Sequence, residues 1–229
     1  MPYRRLPKTD AARLKALSTA IRKFNSSKDL VFSYKLFAEI DLLFPRFQQV
    51  HTYYKQCYHN QVVSSRKHQN NLKTARLYIS HFIQVLNLSV IRGEISAAKK
   101  ALYKLPENST NVPDLTSEKA LLMWGENIIE GEQKRCADGR LIRLSNPSIA
   151  KVRVYYDLFK DSYEKQQNLQ DLTAANLQNV AAMRQEVDDL LLAVWNEVEH
   201  FYADLPTEER VNKCRAYGVV YYYRKGEQD

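Results

Sequence analysis

Neither glycine nor proline interrupts this chain between Pro45 and Gly93, nor again between Pro147 and Pro206. These are the residues that most readily end a helix, so each stretch is free to run as one long element. The apolar pattern says which kind. In the first, apolar and aromatic residues recur in steps of three and four at Phe37, Ile40, Phe44, Phe47, Val50, Tyr54 and Tyr58, then at Leu72, Ala75, Ile79, Phe82, Ile83, Leu86 and Val90. In the second they fall at Tyr156, Phe159, Tyr163, Leu177, Val180, Met183, Val187, Leu191, Val194, Val198 and Phe201. Such spacing lines one face of an α-helix. The expectation is an all-α protein, more than about 60% helical, built as an elongated bundle on two long, coiled-coil-like amphipathic helices.

Each stretch has a polar middle, residues 61–71 and 165–176, and two readings stay open there. Ser65 or Thr173 caps a new helix, which folds each stretch into a hairpin and the whole into a four-helix bundle. Alternatively each stretch is a continuous rod of roughly 80 Å at about 1.5 Å per residue, the reading that the lack of glycine favours. Pro45 then marks a kink, or the first turn of a helix preceded by a short one.

The other elements are short. Thr9 or Asp10 caps a helix over residues 11–24, stopped by the Asn25-Ser26-Ser27 cluster. Helices are expected over 95–105, closed by Pro106, and over 117–136, with Leu121, Trp124 and Ile128 inward and Asp138-Gly139 as its stop. A last helix covers 208–215, after which Gly218 releases the chain into Val219-Val220-Tyr221-Tyr222-Tyr223, a run that prefers extended structure. Its partner is expected in Pro2-Tyr3-Arg4-Arg5-Leu6, giving at most a small two-stranded sheet at the termini. We read residues 1–229 as a single helical domain with two weakly related halves, about 28–104 and 147–205, joined by a connector over 105–146. A shift of 109 residues pairs Tyr54 with Tyr163, Gln69 with Gln178, Asn70 with Asn179, Val85 with Val194 and Asn87 with Asn196.

Charge is unevenly divided. Residues 1–104 hold 19 Lys and Arg against 5 Asp and Glu, whereas residues 105–229 hold 15 against 21. A basic half attracts polyanions or acidic protein surfaces. Lys55, His59, Arg66 and Lys73 fall within about 40° of one another at 100° per residue, on the side of the helix away from its apolar face. With Arg4, Arg5, Lys8, Arg13 and Lys15 of the arm and first helix, and Arg76 nearby, they form a set able to follow a phosphate backbone or meet an acidic partner. The competing use of that set is to face the acidic stripe of Asp157, Asp161, Glu164, Asp171, Glu186 and Asp189 within the same chain.

Motifs of catalysis and metal binding give little. Glu197 and His200 have the Glu-x-x-His spacing of di-iron bundles, but that chemistry needs a second such pair, and this is the only one in the chain. His51, His59, His68 and His81 are 8, 9 and 13 residues apart, not the i, i+3 or i+4 spacing of helical ligands. Cys57, Cys136 and Cys214 form no C-x-x-C pair and are expected as reduced structural thiols. No nucleophile-elbow, phosphate-loop or dinucleotide fingerprint is present. The expectation is no catalytic residue, no cofactor and no metal. The opening MPYRRLPKTD is charged rather than signal-like, and no run approaches the roughly 20 apolar residues of a membrane span, which points to a cytoplasmic protein without membrane contact.

The phrases MPYRRLPKTDAARLKAL, ARLYISHFIQVLNLSVIRGEI, LLMWGENIIEGEQKR, NPSIAKVRVYYDLFKDSY and CRAYGVVYYYRKGE resemble a family of helical proteins from Bacteroidetes, over nearly the whole chain. The resemblance implies a bacterial, cytoplasmic setting. It brings no activity, cofactor or site residue with it. The function expected is that of a non-enzymatic structural or adaptor protein giving helical interaction surface to a larger assembly, with a protein partner and, as another allowed partner, a second copy of the chain. The alternative is an RNA- or ribosome-associated basic factor.

Overall fold

The computed structural model describes residues 3–137 and 144–223. Helices make up 76% of it, with one two-stranded antiparallel sheet. In chain order the elements are β1 (Tyr3–Arg4), α1 (Asp10–Ser26), α2 (Tyr34–Ile91), a 3₁₀ segment (Ala97–Tyr103), α3 (Glu118–Cys136), α4 (Ile149–Phe201), α5 (Thr207–Ala216) and β2 (Tyr221–Tyr222). No helix among the described residues is long and apolar enough to cross a membrane.

Both long stretches are continuous helices, of 58 and 53 residues. The hairpin reading fails because neither polar middle carries a residue that breaks the ladder. Pro45 neither starts α2 nor stops it. It lies inside the helix, which begins at Tyr34, and the Asp41 carbonyl that loses its donor belongs to an exposed residue that water can serve. Thr9 caps α1 by accepting a hydrogen bond from the Ala12 N–H at 3.2 Å, and the same hydroxyl chemistry starts α3, where Ser117 accepts from Ala120 N at 3.1 Å. The expected stop of α3 at Asp138-Gly139 lies outside the described residues.

The segment expected as a helix over 95–105 is instead a 3₁₀ turn over Ala97–Tyr103, ended by Lys104 at φ 56°. With three residues per turn, side chains at i and i+3 eclipse, and here they are Lys100 and Tyr103, both buried. Tyr103 lies so close to α3 that a Cβ on Gly131 would sit 2.5 Å from its ring. Gly131 therefore admits the ring.

The chain divides into two compact units, residues 1–58 with 172–229 and residues 59–171. Each has its own apolar core. In unit 1, Ile40, Leu43 and Phe47 of α2 meet Val180, Val187, Leu191, Val194 and Val198 of α4, with Leu17 of α1 and Phe32. In unit 2, Ile79, Phe82, Ile83 and Leu86 of α2 meet Val152, Tyr156 and Phe159 of α4, with Leu121 and Ile128 of α3. The polar middles explain the division, since between those runs the buried side chains turn polar: His68, Gln166, Thr173 and Asn176. Three residues assigned above to the apolar faces, Tyr58, Leu177 and Phe201, are exposed. Tyr58 and Leu177 fall beside the polar middles, and Phe201 is the last residue of α4, where the apolar layers run out.

The ends of the chain pair as expected from their prolines and tyrosines. Tyr3 stands opposite Tyr222 and Arg4 opposite Tyr221, and Arg5 N donates to Val220 O at 3.0 Å. Tyr217 and Val219, just before β2, are buried in the unit 1 core. Removing residues 217–229 is expected to lower the melting temperature by about 10 °C, since two buried side chains worth about 1.5–3 kcal/mol each are lost along with the strand. Differential scanning calorimetry checks this, and an unchanged melting temperature would place the tail outside the core.

Candidate nucleic-acid interface

Strand alternation sorts the basic arm into two roles. Arg4 points inward, its Nη1 donating to Asn196 Oδ1 at 2.8 Å and pairing with Glu199 Oε2 at 2.9 Å. Tyr221, its cross-strand neighbour, donates its hydroxyl to the other Glu199 oxygen, and burial pushes that phenol's pKa up. Arg5 is exposed and lies 5.9 Å over the Tyr222 ring.

Arg13 is also turned inward. It grips Asp188 through Nε at 2.8 Å and Nη2 at 2.7 Å, and reaches Asp10 at 3.3 Å. Arg184 holds Asp10 from the other side at 2.9 and 2.8 Å. The Arg184 hydrogen bond outweighs burial and keeps the Asp10 carboxyl below its ordinary value. Asp10 also sits in the first turn of α1, where the helix dipole favours an anion. These four charges tie α1 to α4 within unit 1.

Between the arm, α1 and the end of α5 runs a groove of about 760 Å³. Ala12, Lys15, Ala16, Thr19 and Arg22 supply its wall from one face of α1, at the i, i+3, i+4, i+7 spacing that stacks side chains on a helix. Arg5 and Lys8 enter from the arm and Arg215 from α5. Gly218, at φ 89°, brings the returning chain against α1, where a Cβ would meet the Ala16 carbonyl oxygen at 3.0 Å. That backbone conformation and that closeness together demand glycine. Arg5, Lys8, Lys15, Arg22 and Arg215 thus share one groove. Among the described residues no carboxylate lines it, and none of the five cations forms an ion pair. Five cations held together with no carboxylate among the described lining residues repel one another and attract anions.

Of the basic residues singled out above, Arg5 and Lys8 meet in this groove with Lys15. Arg4 and Arg13 are occupied by Glu199, Asp188 and Asp10. Lys55, His59, Arg66 and Lys73 are exposed along α2; Lys55 belongs to unit 1 and the other three to unit 2. None of these four forms an ion pair with the acidic stripe of α4 among the described residues. Arg76 holds the Leu115 and Thr116 carbonyls at 2.9 and 2.8 Å. Sequence reasoning missed Arg22 and Arg215. Arg22 is legible as the next member of the Lys15–Thr19 face, whereas Arg215 joins only because the chain ends pair.

Two further polar constellations lie within single units. Glu197 accepts from Ser33 N at 2.6 Å and Ser33 Oγ at 3.3 Å, which anchors the entry to α2, while His200 stays exposed. His68 is buried, with Nε2 2.8 Å from Glu118 Oε1 and Nδ1 3.1 Å from Ser162 Oγ. This has the order of a Ser–His–carboxylate relay. Yet Ser162 lies in mid-helix, where neighbouring N–H groups serve the α4 ladder instead of an oxyanion, and its hydroxyl also bonds the Phe159 carbonyl at 2.8 Å. The arrangement joins α2, α3 and α4. The three cysteines form no disulfide, and among the described residues no three His, Cys, Asp or Glu side chains gather as metal ligands. No family model, no curated protein and no solved structure matches this chain.

Proposed function

We propose that the protein is a non-enzymatic adaptor that holds RNA on unit 1, as a component of a larger assembly. What supports the reading is the groove of Arg5, Lys8, Lys15, Arg22 and Arg215, five cations with no carboxylate among the described residues that line it. Among the described residues, intramolecular charge pairing accounts for Arg4 and Arg13 and leaves these five over. Lysine and arginine side chains set along a groove neutralise successive phosphates and release their counterions, so affinity falls steeply with salt.

Changing the five together to Ser is expected to reduce affinity for a labelled RNA oligonucleotide at least 100-fold at low salt. The slope of log affinity against log salt should flatten by about 0.7 for each phosphate that is no longer neutralised. The melting temperature should hold within a few degrees, because exposed charges contribute little to folding. Lys55→Ser, Arg66→Ser and Lys73→Ser combined serve as the control and should change binding less than 3-fold. Loss of binding in the control instead would move the interface to α2. Failure of the wild type to bind RNA at low salt, or tighter binding to phosphatidylserine vesicles than to RNA, would overturn the proposal.

A further inference from the structure

Beside the basic groove, the terminal sheet turns an aromatic face to solvent. Side chains alternate across a strand, so while Arg4 and Tyr221 face Glu199, the side chains of Tyr3, Arg5, Val220 and Tyr222 take the opposite side. Tyr3 and Tyr222 are cross-strand partners with ring centroids 5.8 Å apart, 38% and 39% exposed. Val220 beside them is 46% exposed. Arg5 belongs to both surfaces, lining the groove and lying over Tyr222.

Exposed rings adjoining a row of cations with no carboxylate among the described residues that line their groove are the two parts that a single nucleic-acid strand needs, a platform for bases and a track for phosphates. A duplex uses only the second, since the faces of its bases are already covered by their neighbours. We infer that unit 1 takes single-stranded rather than double-stranded RNA, with unpaired bases stacked on the Tyr3 and Tyr222 face and the phosphates running along Arg5, Lys15 and Arg22. This rests on the RNA-binding reading above and adds its strand preference.

The test measures fluorescence anisotropy on the full chain, with a labelled 12-nucleotide RNA of unstructured mixed sequence, alone and annealed to its complement. The wild type should bind the single strand at least 10-fold tighter than the duplex. Tyr3→Ala with Tyr222→Ala should lower single-strand affinity 10-fold or more and change duplex affinity less than 2-fold, with the salt slope kept. Tyr3→Phe with Tyr222→Phe, which retains both rings, should restore the preference. Ultraviolet crosslinking of the wild type to the same strand gives a reading independent of the variants' folding, and the expected adducts are on Tyr3 or Tyr222. Equal affinity for strand and duplex, unchanged single-strand affinity in a folded alanine variant, or adducts confined to other residues would overturn the inference. In the first two cases, continued dependence on the five cations leaves the RNA-binding reading standing. Absence of binding to either form removes both.

Discussion

Glu132→Ala is expected to cost about 3–5 kcal/mol, the usual penalty for leaving one member of a buried ion pair without the other. Glu132 and Arg135 of α3 have side chains 2% and 1% exposed and are joined through Arg135 Nη2 to Oε1 at 2.7 Å and Nε to Oε2 at 2.8 Å. Tyr103 of the 3₁₀ segment donates to the same carboxylate and accepts from Arg135 Nε at 2.9 Å, so the pair also anchors that segment on α3. Removing the carboxylate takes away the two oxygens that accept from the buried guanidinium at 2.7 and 2.8 Å. Glu132→Ala with Arg135→Met, which buries no charge, should be more stable than Glu132→Ala alone. Urea denaturation of the three proteins reads the difference, and a loss below about 1 kcal/mol in the single variant would mean that water or another protein group serves Arg135 once the carboxylate is gone.

The same carboxylate governs acid stability. Burial pushes the Glu132 carboxyl up, but hydrogen bonds from Arg135 and Tyr103 outweigh it and hold the group below its ordinary 4.5. A folded-state pKa below the unfolded one adds stability that is present above the unfolded value and is lost as pH falls through the folded one. Asp10, lowered by Arg184, acts in the same direction in unit 1. Wild-type stability should therefore decline below about pH 4.5, and the decline should be shallower in Glu132→Ala.

How much of this was legible depended on whether a residue's fate is settled by its neighbours in sequence. The long helices were, because three-and-four spacing and the lack of glycine are local facts, and so was the pairing of the ends, where prolines exclude helix at one segment and tyrosines favour strand at the other. The choice of a 3₁₀ turn over Ala97–Tyr103 was not, since it depends on Tyr103 reaching Gly131 and Glu132 of α3. The site was legible only as a basic arm. Arg4 and Arg5 are indistinguishable in sequence, and what separates them is that Glu199, 195 residues away from Arg4, faces one and not the other. Arg13 and Lys15 divide in the same way over Asp188. The buried His68 network shows no pattern at all, because its three members come from three helices with unrelated spacing.

The apolar faces permit the sharpest test of the helical assignments. Leu86 on α2 and Val194 on α4 are both fully buried, the first in the core of unit 2 and the second in that of unit 1. Aspartate at either position places an unpaired carboxylate among aliphatic side chains, and it also removes the packing that the native side chain supplied. Ionising it there is unfavourable enough that it would be buried protonated or would unfold its surroundings. Each substitution is expected to cost more than about 4 kcal/mol, among the larger effects of single changes, and to lower the melting temperature by roughly 8–16 °C for a chain of this size. Leu88→Asp, two residues along α2 and 51% exposed, is the matched control and should stay within about 0.5 kcal/mol of wild type. Thermal melts followed by circular dichroism separate the outcomes. If Leu86→Asp and Leu88→Asp melted alike, the buried face of α2 would be wrongly assigned, because only the phase of the helix distinguishes the two leucines.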